Sequence, residues 1–195
     1  MFSGLDRDDL ISGLRAVVER AHQRGLGPIS IRIIGGAAIR LAYFERATTV
    51  DIDARIDPND SLSELIDEIA AERQWPNDWL NSAAQKAGFI PTWGRPVEWM
   101  PLYTDELVSI EVASVEALLA MKLRAFERRG RRDLGDVVGL LALSGASDAA
   151  EVEELFEAYF PGDTLQRTTV DFLRATLADG LTAAPTPPPI VFRST

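Results

Sequence analysis

The glycine pair Gly35-Gly36 constrains the fold of this chain more than any other feature of its sequence. Alternating β-branched residues from Ile29 to Ile34 precede the pair and predict a short strand. A short helix is expected from Ala37 to Phe44, and Thr48 to Ile56 alternates again as a second strand. A strand that stops at two glycines can turn directly into a helix, so this segment predicts a unit in which strands and helices pack together.

The rest of the chain is predicted to alternate helices with one β-hairpin. Asp8 to Arg24 has the apolar stripe of an amphipathic helix that ends at Gly25. The further predicted elements are, in order, a helix from Ser61 with Glu64 at capping-box spacing, a helix from Pro76 to Ala87, hairpin strands from Val97 to Tyr103 and from Leu107 to Ala113, and helices from Val115 to Arg129 with Ser114 as cap, Asp133 to Leu143, Ala149 to Phe160 and Leu165 to Leu177. We therefore expect an α+β fold with a small mixed sheet flanked by helices, divided into a core at 1–113, a helical lobe at 114–180 and a Pro-rich extended tail at 181–195.

The composition excludes several classes of function. The sequence has no cysteine and a single histidine, His22, which excludes disulfide frameworks, thiolate metal sites and a cysteine nucleophile and argues against a serine triad. No apolar run is long enough to cross a bilayer, so we expect a cytoplasmic protein without membrane contact. The net charge of -10 restricts any contact with nucleic acid or phosphate to a local patch. Catalysis is therefore expected to depend on carboxylates, hydroxyls, Lys or Arg.

Two carboxylates follow the glycine pair on the second predicted strand. Alternation places Asp51 and Asp53 on one face of that strand, where like charges repel unless a cation lies between them. Mg²⁺ prefers oxygen ligands and can activate a hydroxyl group for attack on a phosphate. The alternative is an ordinary exposed strand face, because D-x-D is common by chance. The turn at Gly35-Gly36 favours the metal site, since backbone N–H groups at the start of a helix bind phosphate without basic side chains.

Basic residues concentrate in a single segment of this acidic chain. Lys86 and Lys122 are the two lysines among 20 basic residues. Lys122 lies in an apolar helical stretch, and five arginines follow it: Arg124, Arg128, Arg129, Arg131 and Arg132. We expect this segment to receive a triphosphate or an RNA backbone. The alternative is a solvated helix end whose arginines favour the helix dipole. Lys86 has no motif around it and is expected on the surface.

These motifs resemble those of the minimal nucleotidyltransferase superfamily, and within it the AbiEii-type toxins. The resemblance rests on the Gly-Gly turn in IIGGAAIRL and on an Arg-x-Thr lead into Asp-x-Asp in RATTVDIDARI. It rests further on a Lys-containing helix followed by Arg-Asp-x-x-Asp in LLAMKLRAFERRGRRDLGDVVGLL. Together the three motifs span residues 33–141, somewhat over half of the chain.

The resemblance implies a nucleotidyltransferase-like fold and an enzyme that uses Mg²⁺ or Mn²⁺. Such an enzyme transfers a nucleoside monophosphate from an NTP to a hydroxyl group of RNA, in particular tRNA, or of protein. The resemblance also implies the toxin of a toxin-antitoxin system with a cognate antitoxin. Carried over residue by residue, it makes Asp51, Asp53, Lys122 and Asp133 catalytic, Asp51 and Asp53 metal ligands, Gly35, Gly36, Arg46, Thr48, Lys122 and Asp136 nucleotide-binding residues, and Asp133 and Asp136 the acids that position Lys122.

The superfamily supplies a third carboxylate from a neighbouring strand. Glu98, in the first hairpin strand, is our expected third metal ligand, and Glu111 and Asp105 are the alternatives. If no third acid reaches the pair, the chain is a catalytically inactive binding or regulatory module with the same fold. An antitoxin-like partner protein is a further alternative, because the acidic charge suits a basic partner. The candidates for stacking on a nucleobase are Trp93, Trp99 and Tyr103, and the alternative is that these rings belong to the core, as is common for aromatic residues in a short β-hairpin.

Overall fold

The computed structural model describes residues 4–46, 48–58, 62–83 and 88–192. These residues form two compact units. The first unit contains the described residues of Met1–Ala87, Trp99–Ala113 and Thr186–Thr195. The second unit contains Gly88–Glu98 and Ser114–Pro185.

The first unit combines three helices with a five-stranded sheet among the described residues. Its elements are α1 (Arg7–Arg24), β1 (Ile29–Ile33), α2 (Gly35–Ala42), β2 (Ile52–Asp57), α3 (Ser63–Arg73), β3 (Leu80–Asn81), β4 (Trp99–Thr104) and β5 (Val108–Ala113). The strand order is β3-β2-β1-β5-β4. β1 is antiparallel to β2 and parallel to β5, β3 is parallel to β2, and β4 is antiparallel to β5. The expected mixed sheet flanked by helices is thus confirmed.

The sheet has one buried apolar face and one polar face, as alternation along each strand requires. The buried face is formed by Ile29, Ile31 and Ile33 of β1, Ile52, Ala54 and Ile56 of β2, and Val108, Ile110 and Val112 of β5. The residues between them are half-buried or exposed and define what we call the polar face: Ser30, Arg32, Asp53, Arg55, Ser109 and Glu111.

The described part of the second unit is helical apart from its loops. It contains α4 (Val115–Arg129), a 3-10 turn (Gly130–Asp133), α5 (Leu134–Ser144), α6 (Ala149–Tyr159) and α7 (Arg167–Ala178). Ser114 caps α4 by accepting a hydrogen bond from the backbone N–H of Ala117 at 3.4 Å, as its sequence position predicts. The expected helical C-terminal part is therefore confirmed. Across the described residues of the chain, no helix is long and apolar enough to span a lipid bilayer.

Three of the boundaries that differ from the sequence-based prediction affect the candidate site residues or their surroundings. β2 begins at Ile52 rather than at Thr48, so Asp51 precedes the strand and Val50 is 56% exposed instead of facing the core. α2 begins at Gly35, two residues earlier than expected. β4 begins at Trp99, so Glu98 lies before the strand and not in it.

The helix predicted from Pro76 to Ala87 is wrong at its centre. Leu80 and Asn81 form β3, which pairs with β2, and the N–H of Ile52 donates to the carbonyl oxygen of Trp79 at 2.6 Å. Pairing with a neighbouring strand and burial of Leu80 outweigh local helix preference here. Lys86 lies outside the described residues, as does Ser61, the expected cap of α3.

The last described residues, which belong to the first unit, contact its helix α1 and its strand β4. Residues 181–192 contain no helix or strand. Arg7 Nη2 donates to the carbonyl oxygen of Pro188 at 2.5 Å, and Arg15 Nε donates to that of Val191 at 2.8 Å. The buried ring of Phe192 packs on Tyr103 with ring centroids 5.1 Å apart. Two guanidinium groups and one ring contact thus hold this Pro-rich segment.

The turn between β4 and β5 is organised by the carboxylate of Asp105. Its Oδ1 accepts hydrogen bonds from the backbone N–H groups of Leu107 and Val108 at 2.9 and 2.8 Å, and its Oδ2 lies 2.6 Å from His22 Nε2. The hydroxyl group of Tyr103 also donates to Oδ2. Burial alone raises the pKa of Asp105, but these hydrogen bonds outweigh it and hold the pKa well below the ordinary value. This alternative for the third acid therefore has a structural role in the hairpin turn.

Replacing Asp105 by Asn is expected to lower the free energy of unfolding by about 1.5–3 kcal/mol near neutral pH, because the hydrogen bonds lose their charged acceptor. A lowered folded-state pKa stabilises the fold above the unfolded-state pKa of about 3.9, and this stabilisation is lost as the pH falls below that value. Urea unfolding of both proteins at neutral pH and at stepwise lower pH measures the difference. The difference should shrink below about pH 4. A constant difference across this range would contradict the charge-based explanation.

Candidate functional site

The turn between β1 and α2 presents backbone N–H groups at the start of a helix. Gly35 has a φ of +67°, a conformation that residues with a side chain rarely adopt. The cap residue of α2, Ile34, forms no side-chain capping hydrogen bond. A Cβ atom at Gly36 would overlap the guanidinium group of Arg46, so the missing side chain leaves room for that cation. The turn therefore combines a positive helix end with an arginine.

Asp53 of β2 lies against this turn. Its Oδ2 would be 3.4 Å from a Cβ atom at Gly35. The N–H of Ile34 donates to the carbonyl oxygen of Asp53 at 2.9 Å, which fixes β2 beside the turn. The structure thus brings together four of the expected site residues in the first unit: Gly35, Gly36, Arg46 and Asp53.

Asp51 is linked to the same region through Asn81. Asn81 of β3 is the register partner of Asp53, and its Nδ2 donates to Asp51 Oδ2 at 3.1 Å. Register partners on neighbouring strands project to the same face of a sheet, so Asn81 joins Asp51 to the polar face. Sequence reasoning missed Asn81 because the predicted helix covered it. Thr48 lies farther back along the chain, where a Cβ at Gly4 would be 2.8 Å from its Oγ1.

The three alternatives for the third acid occupy different places. Glu98 is 61% exposed at its side chain and pairs with Arg95 Nη2 at 2.7 Å, outside any strand. Asp105 holds the hairpin turn. Glu111 lies on β5 between buried Ile110 and Val112, on the polar face that also carries Asp53. Among the three acids, Glu111 alone shares a sheet face with Asp53.

The donor set around Asp53 fits Mg²⁺. The ion usually takes one or two protein carboxylates and completes six ligands with water and substrate phosphates. Asp51 and Asp53 supply such carboxylates beside a turn that is suited to phosphate. Among the described residues, no three acid or histidine side chains already lie together as a complete metal site. The donor set therefore suits an ion that completes its coordination with water and phosphate oxygens.

Lys122 and its two expected acids meet in the second unit. The Nζ atom lies 2.7 Å from Asp133 Oδ1 and 2.7 Å from Asp136 Oδ2. The side chains are 12%, 7% and 7% exposed, so two negative charges and one positive charge are almost removed from water. Lys122 comes from α4, Asp133 from the 3-10 turn and Asp136 from the first turn of α5. The group therefore connects the middle of α4 to the turn and the helix that follow it.

The arginines after Lys122 have aromatic and acidic neighbours within the second unit. Arg124 pairs with Asp163 at 2.8 Å and stacks over the ring of Phe160 at 4.3 Å. Arg128 lies over Phe89 at 5.4 Å. The expected triphosphate or RNA contact of this segment stays a prediction. Arg132 is exposed, and the side chains of Arg129 and Arg131 lie outside the described residues.

The aromatic residues expected to stack on a base lie in different surroundings. Trp93 is 92% exposed in the second unit. Trp99 lies under the guanidinium group of Arg32 at 5.5 Å, and the Tyr103 hydroxyl group bonds Asp105. Of the three rings, Trp99 is the one that lies beside a residue of the polar face.

A family model described as "Nucleotidyl transferase AbiEii toxin, Type IV TA system" matches residues 88–186. No curated protein and no solved structure matches the chain. The matched segment contains the buried group of Lys122, Asp133 and Asp136, and it begins after the glycine turn and the first two acids. It covers 99 of the 195 residues, just over half of the chain. The chain therefore belongs to the AbiEii family of nucleotidyltransferase toxins from type IV toxin-antitoxin systems.

Proposed function

We propose that this chain transfers a nucleoside monophosphate from an NTP to a hydroxyl group of RNA, in particular tRNA, or of protein. Its family suggests a nucleotidyltransferase toxin, and a cognate antitoxin is part of the proposal. The observation that carries the proposed chemistry is the position of Asp53 against the Gly35-Gly36 turn. A carboxylate beside a phosphate-binding helix start places a metal ligand next to the group that reacts.

The glycine turn binds the phosphates of the nucleotide in this proposal. The first N–H groups of α2 point toward the ligand, and the helix dipole favours negative charge there. Arg46 adds a permanent cation beside Gly36, which suits a phosphate oxygen. Thr48 belongs to the same connection and is proposed to support the position of Arg46.

The metal ligands in this proposal are Asp51 and Asp53, with Glu111 in place of Glu98 as the third acid, whose side chain joins them only when the ion binds. Glu111 is preferred because it lies on the polar face with Asp53, whereas Glu98 is exposed and paired with Arg95. When bound there, Mg²⁺ or Mn²⁺ neutralises phosphate charge and lowers the pKa of the attacking hydroxyl group. The carboxylates would hold the ion on the polar face, and the ion and its ligands would orient the α-phosphate.

The proposed reaction needs no nucleophilic side chain. The acceptor oxygen forms a bond to the α-phosphorus, while the bond from that phosphorus to the oxygen bridging to the β-phosphate breaks. The hydroxyl proton passes to solvent, and the electron pair of the broken bond leaves with pyrophosphate. The absence of cysteine from the sequence is consistent with this direct transfer.

Lys122 is proposed to contact a phosphate through its remaining donor. An ammonium group has three N–H donors; that of Lys122 donates to Asp133 Oδ1 at 2.7 Å and forms an ion pair with Asp136 Oδ2 at 2.7 Å. These acids position the group, and a phosphate oxygen would take the third donor. The phosphate contact of Lys122 can be tested separately from its structural role, because NTP affinity and the free energy of unfolding are measured independently.

Label transfer tests the proposed function. The chain is incubated with Mg²⁺ and each NTP carrying label at the α-phosphate, together with total RNA or lysate protein. We expect label on one class of acceptor with the α-labelled NTP and none with the γ-labelled NTP, because pyrophosphate leaves. Stabilisation by Mg²⁺ and NTP without any label transfer would instead identify an inactive binding module.

A further inference from the structure

Arg32 lies between the two acids of the polar face. Its register partners are Glu111 on β5 and Arg55 on β2. Asp53 is two residues before Arg55 on β2, so Asp53 and Arg32 are diagonal neighbours on adjacent strands, about 7–8 Å apart. That separation is within reach of an arginine side chain. Arg32 thus lies on the strand between those of Asp53 and Glu111, on the same face of the sheet.

A single hydrogen bond joins Arg32 to Glu111. Arg32 Nε donates to Glu111 Oε2 at 2.9 Å. The guanidinium carbon lies 5.5 Å from the ring centroid of Trp99. Among the described residues, neither Nη group of Arg32 has a hydrogen-bond partner, and the side chain is 38% exposed. Four of its five N–H donors are therefore available to a ligand.

We propose that Arg32 is an exchangeable counter-ion, which pairs with Glu111 before the metal binds and with the nucleotide phosphates afterwards. This inference rests on the proposed function of the polar face. Arg32 and a divalent cation compete for Glu111, because both neutralise the same carboxylate. Once displaced, the guanidinium group is repelled by the metal unless an anion lies between them, and the triphosphate is that anion.

The exchange predicts that metal and nucleotide binding are coupled through one residue. Metal binding alone must break the pair of Arg32 and Glu111, which weakens the affinity for the ion. When the nucleotide binds, the guanidinium group of Arg32 forms a bidentate contact with phosphate, which replaces the lost ion pair with Glu111. Arg32 is therefore a positioning residue for Glu111 in the first state and a binding residue in the second. An ordinary half-exposed ion pair would have neither effect.

Calorimetry on the full chain tests the exchange with two ligands. The first titration uses Mn²⁺ alone, and the second uses an NTP analogue with a non-hydrolysable bond between the α- and β-phosphates in saturating Mn²⁺. We expect Arg32→Gln to bind Mn²⁺ alone about three- to fivefold more tightly than the unsubstituted chain, because the competing cation is gone. The same variant should bind the analogue about tenfold to hundredfold more weakly. Opposite shifts in one variant are the signature of the exchange.

Two further variants separate the exchange from loss of charge and from misfolding. Arg55→Gln removes one positive charge from the neighbouring position on the polar face, and it should change Mn²⁺ affinity by less than about twofold. Arg32→Lys keeps the charge but not the bidentate geometry, and it should restore part of the analogue affinity lost in Arg32→Gln. Melting temperatures of all variants without ligand verify that each is folded.

The possible results distinguish this inference from the proposed function. If the unsubstituted chain binds Mn²⁺ and analogue but Arg32→Gln binds both unchanged, the exchange is refuted and the metal site stands. Shifts of both affinities in the same direction, or equal effects of Arg32→Gln and Arg55→Gln, also refute it. If the unsubstituted chain binds no divalent cation, the proposed function fails and the exchange fails with it.

Discussion

Replacement of Lys122 by Met is expected to lower the free energy of unfolding by about 3–5 kcal/mol. The ammonium group is 2.7 Å from a carboxylate oxygen of Asp133 and 2.7 Å from one of Asp136, and all three side chains are nearly excluded from water. Methionine preserves the unbranched stem and the helix preference of position 122. The loss therefore comes from two buried carboxylates that no longer have their cation. Chemical unfolding at neutral pH measures it.

Two controls identify the origin of that loss. Arg174→Met removes a cation from α7 that pairs with Asp171 on the surface, and it should change the free energy of unfolding by less than about 1 kcal/mol. Adding Asp133→Asn and Asp136→Asn to Lys122→Met removes the stranded charges and should recover much of the stability. A Lys122→Met protein as stable as the unsubstituted chain would contradict the buried ion group.

Measurements on the same Lys122→Met preparation distinguish a structural role of Lys122 from a role in phosphate binding. At a temperature where the variant remains folded, loss of the third donor of Lys122 should weaken NTP affinity by about tenfold to hundredfold. A folded variant that binds NTP as tightly as the unsubstituted chain would leave Lys122 with the structural role alone.

Much of the fold was predictable because its signals are local. The apolar stripe of α1 and its stop at Gly25 were confirmed, and so was the strand before Gly35-Gly36. The hairpin of β4 and β5 and the cap of α4 at Ser114 were predicted from the same kind of pattern. In each case periodicity, glycine or a capping side chain acts within a few residues, so no knowledge of distant partners is needed.

β3 shows where local signals fail. Leu80 and Asn81 lie in a segment whose spacing favours a helix, but they pair with Ile52 and Asp53 about thirty residues away. Such pairing depends on the completed sheet and leaves no mark in the segment itself. The misassigned helix also concealed Asn81, which connects Asp51 to the strand of Asp53.

The choice of the third acid shows the same limit. The sequence shows an acid between apolar neighbours at Glu111 and another beside Trp99 at Glu98. It does not show that β5 is the parallel neighbour of β1, which places Glu111 and Arg32 side by side. The role of Arg32 is therefore accessible from strand register and not from any motif.

The second large effect is expected from Asp51→Asn combined with Asp53→Asn. The double variant should lose Mg²⁺-dependent NTP binding and, with it, label transfer, because amide groups are far poorer ligands than carboxylates for a hard cation. The free energy of unfolding should change by no more than about 1 kcal/mol. Relief of repulsion between the two charges stabilises the fold, whereas loss of the Asp53 charge beside the positive start of α2 opposes it.

Thermal unfolding with and without Mg²⁺ and NTP measures this effect, since a ligand that binds the folded state raises the melting temperature. Asp57→Asn is the matched control, because it removes an exposed carboxylate from the end of the same strand. The control should keep the ligand-dependent rise in melting temperature, and the double variant should show none. An equal rise in both proteins would remove Asp51 and Asp53 from the metal site, and the place of Arg32 between Asp53 and Glu111 would then have no part in nucleotide transfer.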